Sequence, residues 1–173
     1  MNMISSFTNL RSFISYQFST LRMHALRDRI WAKFSGSPSE LIVFPGDNEP
    51  SRVIANRKLI GVQNIRVAEI VGTLNRDTDF DIYFRPLKKH MLARWVNAYI
   101  LHEQDGWSPI VVHKVREEYF VEDGHHRVSV ARAMGMDFIE AKVWDYTQRN
   151  QQRKKYHWVK CTEKSSAKAY VTG

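Results

Sequence analysis

The stretch Glu122-Asp123-Gly124-His125-His126-Arg127 concentrates residue types that can hold an anion or move a proton. If a helix begins inside it, the first backbone N–H groups lack intrahelical partners and carry partial positive charge, so a phosphate can satisfy them directly. Gly124 would let the backbone approach a ligand, and Arg127 would add a forked, permanently charged donor. His125 and His126 can donate hydrogen bonds or transfer protons, because imidazole titrates near neutral pH. Asp-Gly is also a common turn pair, and spacing alone does not separate a phosphate loop from an exposed polar turn. Adjacent histidines on a strand would point to opposite faces with no third ligand at metal-binding spacing, so a histidine-held metal is disfavoured. Asp123 is instead the candidate ligand for a magnesium ion carried on substrate phosphates.

The surrounding pattern supplies a strand before this loop and a helix after it. Pro109 to Val115 and Tyr119 to Val121 are β-rich runs around the polar turn Arg116-Glu117-Glu118, which reads as a hairpin. Val128, Ala131, Ala133 and Met134 suit a short helix closed by Gly135, and Ile139, Ala141 and Val143 alternate as a closing strand. Upstream, Ile65 to Val71 alternates apolar and polar before Gly72, which suits a half-buried strand or a strand leading into a turn, and the polar loop Asn75 to Asp79 follows. Pro86 fits the first turn of a helix whose core side holds Met91, Leu92, Trp95, Ala98, Tyr99 and His102 and which ends near Gly106.

An amphipathic N-terminal helix is expected from the recurrence of Leu10, Phe13, Ile14, Phe18, Leu21, Ala25, Ile30, Trp31 and Phe34 along one face. Ser35-Gly36-Ser37-Pro38-Ser39 should end it, Leu41 to Phe44 suits a short strand, and Pro45 to Pro50 reads as a loop. The organisation expected is thus a helix and connector over 1–60, a compact domain over 61–146 and a basic tail over 147–173. That tail, Arg149 to Lys155 followed by Tyr156, His157 and Trp158, could contact nucleic acid by phosphate attraction and stacking, although a solvated tail is the commoner use of such residues.

Bulk properties narrow the class. The 173 residues suffice for one core, and hydrophobic and charged fractions of 43% and 25% are those of a globular chain. The net charge of +8 makes polyanions natural partners. Apolar runs fall short of a membrane span, and the single cysteine, Cys161, excludes a disulfide framework, so a cytoplasmic protein is expected.

Trp107 to Val112, Tyr119 to Arg127, Ala131 to Gly135 and Ile139 to Val143, taken in order, resemble the core of the ParB N-terminal/sulfiredoxin superfamily, and Ile65 to Phe84 resembles its opening strand and polar loop. The resemblance implies an α+β fold with a small mixed sheet and flanking helices. It also implies nucleotide binding through the glycine-containing loop, here Gly124, His125, His126 and Arg127. Members include CTP-hydrolysing DNA-partition proteins, ATP-using sulfiredoxins and phosphotransferases acting on free serine. A sulfiredoxin reaction is argued against, because that family's loop cysteine falls on His125 and Cys161 lies outside the motif. The partition-protein loop also departs from His125 and His126, and no helix-turn-helix follows Trp144.

A phosphotransfer reaction would need a carboxylate base, for which Glu69, Asp79, Asp81 and Glu122 are available but not distinguished. Arg76 is a second cation for the phosphates, or equally a partner of Asp79 or Asp81. The expectation is nucleotide binding with magnesium, and hydrolysis or phosphoryl transfer. The alternative is a noncatalytic DNA- or protein-binding regulatory module, with self-association or a protein partner at the N-terminal helix.

Overall fold

The computed structural model describes residues 3–44 and 57–146, with side chains from Thr8 onward. Among the described residues three α-helices, α1 (Met3–Ser35), α2 (Leu92–Gln104) and α3 (His125–Ala133), flank six strands. The strands are β1 (Ile42–Val43), β2 (Lys58–Arg66), β3 (Ile70–Thr73), β4 (Ile110–Val115), β5 (Glu118–Asp123) and β6 (Phe138–Asp145). They form one mixed sheet in the order β1-β3-β5-β4-β6-β2. Pairing is antiparallel for β2 with β6 and β4 with β5, and parallel for β1 with β3, β3 with β5 and β4 with β6. The molecule is therefore α+β, with an N-terminal helix and helices packed on a six-stranded mixed sheet.

The expected hairpin forms: β4 and β5 pair directly across the turn, where Arg116 takes a left-handed backbone with φ of 59°. Alternation along β6 buries Ile139, Ala141 and Val143 and exposes Glu140 and Lys142, so its inward face meets the helices. Gly135, with φ of 69°, closes α3 as a C′ glycine. Trp95 ties the helical layer together. Its indole donates to Ser129 Oγ of α3 at 2.9 Å, and its ring meets Phe18 of α1 edge-on at 5.8 Å. Ile14, Phe18 and Leu41 belong to the same buried cluster as Val112, Val121 and Ile139.

Two expectations need correction, and a third is decided between its alternatives. The run from Ile65 to Val71 is a strand leading into a turn and not one strand: β2 begins earlier, at Lys58, ends at Arg66, and a short 3-10 turn over Val67–Glu69 separates it from β3. The break is held from a distance, because the largely buried Arg132 donates to Ile70 O at 2.6 Å and Val67 O at 3.4 Å. Pro86 does not open α2; it lies in a bridge opposite Phe80, and a 3-10 turn over Lys89–Met91 leads into the helix. Along α1 the core takes Ile14, Phe18 and Ala25, with Leu10 and Leu21 partly buried, whereas Phe13, Ile30, Trp31 and Phe34 are exposed. The spacing had combined two faces of this helix into one. The loop from Pro45, the basic tail and Cys161 lie outside the described residues.

Candidate functional site

β3 and β5 run parallel and end on the same side of the sheet, so the loop after β3 and the start of α3 after β5 face one another. With α2 as the third wall they enclose a cleft of about 310 Å³. Its lining contains Arg76 and Phe80 from the β3 loop, Arg94 and Asn97 from α2, and Asp123, Gly124, His125, His126 and Arg127. Each residue singled out from the sequence for phosphate or magnesium thus borders a single cavity. Arg94 and Asn97 join them from another element, and no local motif marks them, because a polar residue on a helix exterior is ordinary.

Helix α3 begins without a side-chain cap and without an acid in its first turn. The first N–H returned to the loop is that of Val128, bonded to Gly124 O at 3.0 Å, so the preceding amides have no intrahelical carbonyl to meet. Gly124 has φ of 101°, and a Cβ there would collide with Ile110 and lie 3.1 Å from Arg127 Nε. Its glycine is therefore required by the packing of the chain on itself as well as by backbone conformation.

Arg127 differs from its expected role. Its Nη1 donates to Ser108 O at 2.6 Å, Ser108 Oγ at 3.0 Å and Pro109 O at 3.3 Å, and its Nη2 donates to Asp123 Oδ2 at 2.7 Å. This guanidinium pins the helix start to the approach of β4. Arg76 is half-exposed and pairs with Asp79 at 3.0 Å, which Lys88 also meets at 2.6 Å. Burial pushes the Asp79 carboxyl up, but the bonds and charges of Lys88 and Arg76 outweigh it and hold the group below its ordinary range. Arg94 is exposed and has no ion pair among the described residues.

The two histidines sit on different footings. His125 is buried and its Nε2 lies 2.7 Å from Thr73 Oγ1, which already accepts the amides of Asn75 at 3.2 Å and Arg76 at 3.0 Å. With both lone pairs engaged, the threonine hydroxyl donates, which leaves His125 neutral with its proton on Nδ1. Burial, then the charges of Arg76 and His126, push its pKa down to about 4. Burial, then Arg94 and Arg76, do the same to His126, also to about 4. Phe80 stacks on His125 at 6.0 Å and meets His126 edge-on at 5.5 Å. His126 Nδ1 is buried without a hydrogen-bond partner among the described residues, an unmet demand of the kind functional sites carry.

Of the acids considered as bases, Asp79 is held by Arg76 and Lys88 beside the cleft, and the other three lie elsewhere. Asp81 accepts the amides of Tyr83 and Arg85 at 3.0 and 2.8 Å and pairs with the Arg85 guanidinium at 2.6 Å. Glu122 faces the other side of the sheet from Asp123, where it meets His113 Nε2 at 2.5 Å. His113 Nδ1 meets Tyr146 OH at 2.8 Å, and Phe44 packs edge-on against His113 and Phe120. Glu69 is exposed in the turn before β3. Asp123 is the carboxylate on the cleft wall, and it is already paired with Arg127. Among the described residues no group of three His, Cys, Asp or Glu side chains is placed to hold a metal ion. The cleft does not fit a resident metal, whose remaining donors would have to come from a ligand.

No helix among the described residues is long and apolar enough to cross a membrane. No family model matches the chain, and no curated protein matches it. Among solved structures, the chain is similar to sulfiredoxin from Arabidopsis thaliana, with a TM-score of 0.39 and 21% identity over 50% of this chain and 86% of that one. Its architecture is an α+β mixed sheet with flanking helices.

Proposed function

We propose that the cleft at the start of α3 binds the phosphate groups of a nucleotide. One observation carries the reading: an uncapped helix start and the guanidinium groups of Arg76, Arg94 and Arg127 border the same cavity. The helix start offers unpaired amides, and Arg76 and Arg94 supply charge that Arg127, spent on Asp123 and Ser108, supplies only as background field. His125 and His126 are neutral at pH 7 and serve as hydrogen-bonding groups there, not as fixed cations. The cavity is at the small end of the roughly 300–1,000 Å³ of small-molecule sites, which suits phosphates held inside and a nucleoside extending along Phe80 and α2. Any magnesium would arrive on those phosphates, with Asp123 as the adjoining carboxylate.

The test is calorimetric titration with ATP, ADP, CTP and GTP in the presence of magnesium, on the natural chain and on Arg94→Ala, with released phosphate assayed in parallel. Losing a charge-assisted bond of roughly 1.5–3 kcal/mol should weaken binding about ten- to hundredfold. Arg94→Ala is the informative change because Arg127→Ala would also release α3 from Ser108. Turnover would assign phosphoryl chemistry, and binding without turnover would assign a nucleotide-controlled switch. Failure of all four nucleotides to bind would remove the proposal.

A further inference from the structure

The side of α1 turned away from the core is also apolar. Phe13, Tyr16, Met23, Ile30 and Phe34 are exposed by 51%, 71%, 61%, 60% and 83%. With Thr20 and Arg27 between them they advance along the helix in alternate steps of three and four. Successive helical positions rotate by about 100°, which sets this seam on the side opposite Ile14, Phe18 and Ala25. A 3-4 repeat, here apolar at five of its seven positions, is the spacing by which one helix packs along another.

Charge selects the occupant. The positions beside the seam, Ser12, Ser19, Leu26 and Lys33 on one side and Gln17, His24 and Trp31 on the other, carry one formal charge, that of Lys33. Nothing there attracts an acidic or basic partner helix or repels a second copy. Arg27 sets the direction. In a parallel pair in register it would face itself, whereas an antiparallel pair crossing between Leu21 and Arg22 sets it against Tyr16 of the second copy, a cation on an aromatic ring. The same register sets Phe13 against Ile30 and Thr20 against Met23. Of the helix's cations, Arg22 is bonded to Leu87 O at 3.0 Å, and Arg27 and Arg29 are paired with Asp28 and Glu40 at 3.0 and 3.1 Å, which leaves Arg11 and Lys33 for an anionic lipid surface and disfavours one. The exposed parts of the four aromatics, Phe13, Tyr16, Trp31 and Phe34, sum to on the order of 500 Å² per copy, or ~1,000 Å² for a pair, enough for a specific interface.

We infer that α1 pairs antiparallel with α1 of a second copy of this chain. Sedimentation velocity on the full chain should show a dimer, and Met23→Glu with Ile30→Glu should weaken association about a hundredfold or more while circular dichroism and the thermal midpoint stay unchanged. A chain that remains monomeric, or a dimer indifferent to the two glutamates, would overturn the inference. In a Cys161→Ser background, Phe13→Cys with Ile30→Cys should form a disulfide-linked dimer on air oxidation. Cross-linking by Phe13→Cys alone would overturn the antiparallel arrangement. A monomer that binds phosphatidylserine vesicles through the same seam would replace the dimer with a lipid-facing helix.

Discussion

At the scale of single residues, the contacts around Gly124 and the two histidines decide what can be changed. Gly124→Ala adds a Cβ at a positive φ against Ile110, and overpacking of this kind costs about 1–3 kcal/mol. Urea unfolding should show that loss, and Ile110→Ala in the same chain should be less harmful than the sum of the two single changes. The histidines make stability depend on pH. Unfolded imidazoles titrate near 6.5, whereas burial holds both folded ones down to about 4. Between those values the unfolded chain binds more protons, so this contribution is whole above pH ~6.5 and is lost as pH falls toward ~4. Unfolding curves across that window should show the slope, and His126→Gln should flatten part of it. Thr73→Val should strand His125 Nε2 and the amides of Asn75 and Arg76, at a cost of about 1–3 kcal/mol, and should shift the His125 ring nitrogens in an NMR spectrum.

At the scale of elements, what was legible depended on how local its cause was. The hairpin, α3 with Gly135, and the alternation of β6 follow from neighbouring residues, and they appear where the sequence predicts them. The division between β2 and β3 depends on Arg132, far along the chain, and no window around Ile65 contains that information. The cleft shows the same distinction. The loop from Asp123 to Arg127 was recognisable as a helix start, but its arginine is claimed by Ser108 and Pro109, and the exposed cation beside it, Arg94, belongs to another helix. Arg132→Met should therefore destabilise the junction of β2 and β3 by about 1–3 kcal/mol through unpaired carbonyls, read as faster amide exchange from Arg66 to Val71.

At the scale of the whole molecule, α1 is joined to the rest by the core it shares through Ile14 and Phe18 and by ions. Phe18 meets Trp95 edge-on, and Asp28 pairs with Arg85 at 2.9 Å, which in turn holds Asp81. Phe18→Ala should cost about 3–5 kcal/mol and should broaden or split the thermal transition as α1 separates from the sheet. The last two residues of β5 have a wider consequence. Glu122 is tied to His113 on one face and Asp123 to Arg127 on the other, so the strand end that launches α3 is clamped from both sides. A cleft hung from such a clamp keeps its shape without an occupant, and capture of the proposed phosphate there should require little ordering of the chain.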